Sequence, residues 1–280
     1  MHLKSHTKET FMDSLGFPLS EEELSIYRKD GFIGPFDLIS EDEMTDLRKQ
    51  IESEVIYPSL NNNERLFFHD RHFDIKNVLN LCRKPEIIDR TASLLGPDLL
   101  LWRSNFQIKR PASNRPGTNF ETSEVPWHQD RTYFTRTLYP TLTVSVWIAI
   151  SEATPKNGCL QFLRSSDNKI IQHKSDLNRK TFRQSLKLKK NQTDKICTLE
   201  MKPGQFVLFH ENTIHRSNKN LTTSDRIALT LRITVPFVHI AGNPSGAGRD
   251  RSYHAPNELR EVVLLRGQDY TGKQRIITSE

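Results

Sequence analysis

At 280 residues, 35% hydrophobic and 26% charged, the chain has the composition of a packed globular protein, which excludes a disordered or membrane-embedded one. Its formal charge is +6 and its pI near 9.2. The basic residues are spread among 34 acidic ones and the densest cluster, Lys187 to Lys190, lacks interleaved aromatics, so an anionic small molecule is expected and a nucleic acid is not.

Cys82, Cys159 and Cys197 form no CxxC pair and no even set for disulfides. The N-terminal stretch has no apolar signal core, and no run approaches the ~18 apolar residues of a membrane span. The expected location is the reducing cytoplasm, without membrane contact. Oligomeric state is not readable from the chain.

In chain order, Ser20 before Glu21-Glu22-Glu23, with Leu24 and Tyr27 following, predicts an N-capped helix with an acidic first turn. Gly31 to Phe36 predicts a short strand, and Ser40 before Glu41-Asp42-Glu43 a second helix start. A helix is expected from Pro85 to Leu95, opened by proline and closed at Gly96-Pro97. From Leu99 the pattern changes to apolar runs of strand length separated by turn residues: Leu99–Lys109, Leu142–Ile150, Cys159–Leu163, Gln205–His210 and Ile227–Val235.

The expected fold class is therefore mainly β with flanking helices, as a barrel or two-sheet jelly roll. A single domain is expected over 1–280: a helical, loop-rich support over 1–98, a β core over about 99–240 and a C-terminal extension over 241–280. Polar, Gly- and Pro-rich composition predicts loops over Arg110–Glu124, Ser166–Asp194 and Gly242–Ser252.

Pro126-Trp127-His128-Gln129-Asp130 places an imidazole and a carboxylate two residues apart, on one face if the segment is extended. A second imidazole from a distant strand would complete a facial triad of two His and one carboxylate. Such a triad leaves three coordination positions for a chelating co-substrate and O2. His215 is the best candidate and His210 its rival. His210-Glu211 does not make a zinc-protease helix motif, because His210 and His215 are five residues apart. A second His-x-Asp, His72-Phe73-Asp74, lies in the helical third and reads as a structural or substrate-proximal loop.

Eleven residues after His215, Arg226 opens a run in which Ile227, Leu229, Leu231 and Ile233 alternate with Arg226, Ala228, Thr230 and Arg232. A face of two arginines and small residues suits an anion in a cavity. A guanidinium can grip the distal carboxylate of 2-oxoglutarate with two N–H groups. Arg226 and Arg232 stand ~20 Å apart along an extended strand, so they cannot hold one small dicarboxylate together, and spacing selects Arg226. Ser217 offers a hydroxyl to that carboxylate, Trp147 an indole wall, and Asn105 and Gln107 a polar face.

On these residues the chain resembles the phytanoyl-CoA dioxygenase superfamily, and within it the bacterial branch often labelled chlorinating enzymes. The similarity runs through Asp30 to Phe36, Leu94 to Asn105, Trp127 to Asp130, Trp147 to Ile150, Asn157 to Phe162 and Met201 to Gly204, and on to His215, Ser217 and Arg226. The resemblance implies a double-stranded β-helix, cupin-like, with Fe(II) on His128, Asp130 and His215. It also implies 2-oxoglutarate held by Arg226 with Ser217 and Trp147, to which Gln107 is added. Asn105, Arg131, Tyr133 and Phe134 are the expected substrate residues. Two departures stand out: Arg216 occupies a position where many relatives have Gly, and His210 one where Asn is expected.

Family halogenases carry Ala or Gly in place of the carboxylate, so Asp130 implies hydroxylation. The expected activity is 2-oxoglutarate-dependent hydroxylation of an unactivated C–H bond in a small polar metabolite, with release of succinate and CO2. An amino acid, a carrier-tethered amino acid or an aminophosphonate fits that branch. The alternatives are a halogenase or desaturase outcome, or a β-helix that binds a ligand without catalysis.

Overall fold

The computed structural model describes residues 11–57, 68–112, 124–134, 138–166, 169–175, 184–241 and 259–277. Its strands are β1 (Phe32–Asp37), β2 (Leu99–Lys109), β3 (Val125–His128), β4 (Leu138–Tyr139), β5 (Val144–Ala149), β6 (Leu160–Leu163), β7 (Lys174–Ser175), β8 (Gln184–Ser185), β9 (Ile196–Leu199), β10 (Gln205–His210), β11 (His215–Ser217), β12 (Arg226–Thr234), β13 (His239–Ile240), β14 (Glu261–Arg266) and β15 (Arg275–Ile276). They form a seven-stranded sheet, β1-β10-β5-β12-β2-β14-β15, and a four-stranded sheet, β3-β11-β6-β9; β4 pairs with β13 and β7 with β8. Pairing is antiparallel except between β14 and β15. This is the two-sheet jelly roll that the strand series predicts.

Side-chain alternation along β12 divides the molecule into layers. Ile227, Leu229, Leu231 and Ile233 join the larger core, which also holds Leu101, Val146, Ile148 and Leu208 and the apolar sides of the N-terminal helices through Met44, Ile51, Ile87 and Ala92. Ala228 faces the other way, into the layer between the sheets, with Trp147, Phe162, Val207 and Phe209. The polar residues interleaved with the apolar ones of β12 therefore point into the space between the sheets, and that space holds the site.

Ser20 and Ser40 each close a capping box over helices Glu21–Asp30 and Glu41–Ile51. Each serine hydroxyl accepts from a backbone N–H three residues on, and Glu23 or Glu43 accepts from the serine N–H in return. Within the C-terminal extension the described residues 259–277 join the main sheet. Their apolar run Val262-Val263-Leu264-Leu265 needs a sheet partner, and β14 finds one in β2 through Val263↔Leu101 and Leu264↔Leu100. The first third likewise supplies β1 to the same sheet, beside β10. Residues 113–123 of the Arg110–Glu124 loop, 167–168 and 176–183 of the Ser166–Asp194 loop, and the whole Gly242–Ser252 loop lie outside the described residues.

The second His-x-Asp belongs to no group of three metal donors among the described residues. Asp74 is paired with Arg71 at 3.0 Å, and His72 is buried with its Nδ1 2.7 Å from the Ser104 hydroxyl. Nearby, Asp70 is buried in an ion pair with Arg260. Burial pushes the His72 imidazole down to about 4. Between pH 6.5 and 4 the unfolded chain therefore binds a proton that the folded chain refuses, so His72 lowers stability as pH falls through that window. The expected loss from pH 6.5 to 5 is about 2 kcal/mol. Urea denaturation at pH 7 and pH 5 checks this: His72→Asn should show a correspondingly flatter pH dependence, and an unchanged one would remove His72 as its source.

Candidate metal centre and co-substrate pocket

His128 ends β3 and His215 opens β11, and the two are direct cross-strand partners. That register, with Asp130 in the turn just after β3, brings three donors from two segments together. The Nε2 atoms of His128 and His215 lie 3.7 and 3.9 Å from Asp130 Oδ1, and the three groups' ligand atoms are all within 4.8 Å of one another. All three residues are buried. Among the described residues no other group of three His, Cys, Asp or Glu side chains is so arranged.

Local backbone fixes the imidazoles. His128 Nδ1 donates to the Pro126 carbonyl at 2.8 Å and His215 Nδ1 to the Thr213 carbonyl at 2.9 Å. Both Nε2 atoms are thereby left as lone-pair donors turned toward Asp130, which is how a metal-binding histidine is oriented. Burial, followed by the proximity of His128, pushes the His215 imidazole down to about 3, so it is neutral and ready to ligate. Burial alone would raise the Asp130 carboxyl, but Arg232 first and then the two imidazoles outweigh it and hold the group below its ordinary value. A carboxylate held below its ordinary value and two buried imidazoles that turn Nε2 toward it are the donor set of a 2-His-1-carboxylate iron site.

The cavity beside the triad is also lined by Gln107, Trp147, Ser217, Arg226, Thr230 and Arg232. Arg226 is buried with its guanidinium 5.1 Å from the centre of the Trp147 ring, and its Nε and Nη1 have no hydrogen-bond partner among the described residues. Burial lowers it only to about 10, so it stays cationic at neutral pH. A buried cation with unsatisfied N–H groups is costly unless an anion completes it. A dicarboxylate that chelates a metal on the triad and reaches Arg226 with its other end meets that need.

Lys109 was not singled out from the sequence. It is the cross-strand partner of Arg226, is buried, and donates from Nζ to the Ser217 carbonyl at 3.4 Å. Gly158, at φ +84°, lets the turn before β6 press against its stem, where a Cβ would collide with Lys109 and the Asn218 carbonyl. Its signal was available in the alternation that put Gln107 inward, which continues to Lys109.

The remaining predicted positions separate. Asn105 is opposite Thr230 but is not among the residues lining the cavity. Tyr133 lies beside the triad, with ring centres of Tyr133 and His128 5.8 Å apart and its hydroxyl donating to the Gln184 carbonyl. Arg131 and Phe134 are not among the residues lining the cavity. Arg131, partly exposed, pairs with Glu211 at 3.0 Å, and Phe134, at the end of the same helical turn, is buried edge-on against Trp102 with ring centres 5.1 Å apart. Arg216 does line the cavity, but its guanidinium lies 4.7 Å from the Trp127 ring and donates to Gln161 at 2.7 Å. His210 takes no place in the triad; its Nδ1 accepts from the Asn212 N–H at 3.1 Å.

Gln129 has a part that the sequence did not reveal. Its amide donates to the Lys169 and Asn212 carbonyls and accepts from the Ile171 N–H, tying the 169–175 segment to the backbone between two ligands.

Comparison with known proteins agrees with this geometry. Residues 27–228 match the family model described as phytanoyl-CoA dioxygenase (PhyH), a span that contains the triad, Ser217 and Arg226. A phytanoyl-CoA dioxygenase 1 from Oryza sativa subsp. japonica is 27% identical over 230 residues, covering 73% of this chain and 75% of that protein. An ectoine dioxygenase from Streptomyces coelicolor is 24% identical over 233 residues, covering 75% of each. Among solved structures, CytC3 with Fe(II) and alpha-ketoglutarate superposes with a TM-score of 0.67 at 26% identity, covering 93% of this chain and 94% of that one. The apo form of the non-heme monooxygenase ThoJ gives 0.70 at 23% identity, covering 91% and 87%. With its match running through both sheets and the whole triad, the chain belongs to the phytanoyl-CoA dioxygenase family.

Proposed function

We propose that this Fe(II)- and 2-oxoglutarate-dependent dioxygenase hydroxylates an unactivated C–H bond of a small polar metabolite, releasing succinate and CO2. One observation carries the reading: the buried His128, Asp130 and His215 donors share a cavity with Arg226, a buried cation whose Nε and Nη1 lack partners. Iron bound to the three donors supplies oxygen activation when 2-oxoglutarate is present. Arg226 orients the co-substrate by its far carboxylate, with Lys109, Ser217 and Gln107 around it and Trp147 as a wall that excludes water. Asp130 fills the position that a halide would need, which favours hydroxylation over halogenation.

The substrate is of amino acid, carrier-tethered amino acid or aminophosphonate type, entering on the Tyr133 side of His128. The chain's formal charge of +6 favours an anionic group on it. Among the described residues no helix is long and apolar enough to cross a membrane.

Anaerobic titration with Fe(II) and then 2-oxoglutarate tests the reading through the weak visible charge-transfer band of the chelate. Formation of the band with one iron per chain is expected, followed by substrate-dependent succinate release in a screen of amino acids and phosphonates. Failure to retain iron or form the band would leave a non-catalytic binding protein as the better account.

A further inference from the structure

Asp130 is held by more than its place in the chain. Arg232 Nη1 reaches Asp130 Oδ2 at 2.6 Å, Ser145 Oγ donates to the same Oδ2 at 3.1 Å, and Arg232 also donates to Ser145 Oγ. The triangle is set by sheet register, because Arg232 on β12 and Ser145 on β5 are direct cross-strand partners. The guanidinium is further confined between the Phe134 and Phe209 rings, at 5.2 and 5.8 Å. Both polar contacts fall on Oδ2. Oδ1 is the oxygen that lies 3.7 and 3.9 Å from the imidazole Nε2 atoms.

We infer that Arg232 and Ser145 are positioning residues that restrict Asp130 to ligating iron through Oδ1 alone. The inference rests on the iron-oxygenase reading above. Two imidazoles and one carboxylate oxygen would take three of six positions on a bound iron, and a 2-oxoglutarate chelate two more, which would leave one for O2. A carboxylate free to rotate and bind through both oxygens would close that last position. Oδ2 is engaged by a charge-assisted hydrogen bond and a hydroxyl, so swinging it toward the metal would leave the buried Arg232 cation unpaired. The sheet thus preserves the coordination vacancy on which oxygen chemistry depends, through two side chains that need touch neither substrate nor co-substrate.

Nitric oxide, an O2 surrogate that gives an S = 3/2 electron paramagnetic resonance signal with Fe(II), reads that vacancy without turnover. The anaerobic Fe(II)·2-oxoglutarate protein is titrated with nitric oxide as wild type, Arg232→Met, Arg232→Lys and Ser145→Ala, with thermal melts run alongside. Arg232→Met should retain one iron and the chelate band while its nitric oxide affinity falls at least ~10-fold, the scale of losing an outer partner of a ligand. Arg232→Lys should stay within about threefold of wild type, because one N–H donor and the charge remain. Ser145→Ala, which removes a single oxygen, decides the question if Arg232→Met does not fold, and should fall between the two. Wild-type nitric oxide affinity in folded Arg232→Met, or in Ser145→Ala when that variant decides, would overturn the inference alone. A wild type that forms no chelate band would overturn the oxygenase reading and this inference with it.

Discussion

Replacing Arg226 with Met is expected to weaken 2-oxoglutarate binding by roughly 10²- to 10³-fold, about 3–4 kcal/mol, while leaving the ligand-free protein at least as stable as wild type. The two halves of the prediction have one cause. In the ligand-free protein the guanidinium is buried with Nε and Nη1 unpartnered, so it contributes a desolvation cost as well as its packing on Trp147. Methionine keeps comparable length and the contact with the indole but removes the unpaired donors. Once a carboxylate arrives, the guanidinium donates charge-assisted hydrogen bonds to it, which methionine cannot replace. Chelate-band titration gives the affinity and thermal melts the stability. At a 2-oxoglutarate concentration about 100 times the wild-type Kd, ligand should stabilise wild type by ~2.7 kcal/mol and leave the variant almost unmoved. A variant that lost stability without ligand and kept its affinity would make Arg226 a structural residue and move the co-substrate elsewhere.

Why the strands were legible and parts of the site were not follows from what each depends on. The period-two alternation of β12 is written into its residues and separates Leu229 and Leu231 from Thr230 and Arg232. The helix starts at Ser20 and Ser40 were legible because capping is local chemistry within four residues. His128 and Asp130 were legible as a pair for the same reason. The partnership of His128 with His215 depends on the register of β3 against β11, 87 residues apart, and spacing could only nominate His215 over His210. Side-chain destinations beyond the strand were the least legible. Arg131 and Phe134 follow the ligand motif directly, yet a single helical turn aims them at Glu211 and Trp102. Arg232 lies too far along the strand from Arg226 to share one dicarboxylate with it, and that same distance along β12 puts it on Asp130. The apolar run in β14 was visible, but its docking on β2 needs a partner more than 150 residues away.

Asp130→Ala should reduce hydroxylation by at least about 10³-fold, since loss of a ligand must exceed the 10- to 100-fold cost of losing a ligand's outer partner. It should also destabilise the metal-free protein, and the size of that effect separates two views of the carboxylate. If Asp130 mattered only as a ligand, its removal would relieve a buried charge and stability would rise. In the structure, however, Asp130 is the counter-ion of Arg232, held below its ordinary pKa by that guanidinium against the opposing effect of burial. Removing one member of such a pair leaves a cation in the protein interior, at an expected cost of about 3–5 kcal/mol. Arg232 retains charge because arginine does not deprotonate at neutral pH, so an anion small enough to enter the vacated space should recover part of the loss. Urea denaturation of the metal-free variant in chloride and in gluconate at equal ionic strength measures this: stability should be lower than wild type in both and higher in chloride than in gluconate. A variant as stable as wild type in gluconate would mean that the Asp130–Arg232 pair is energetically neutral. In that case the carboxylate is kept at this position for the metal alone.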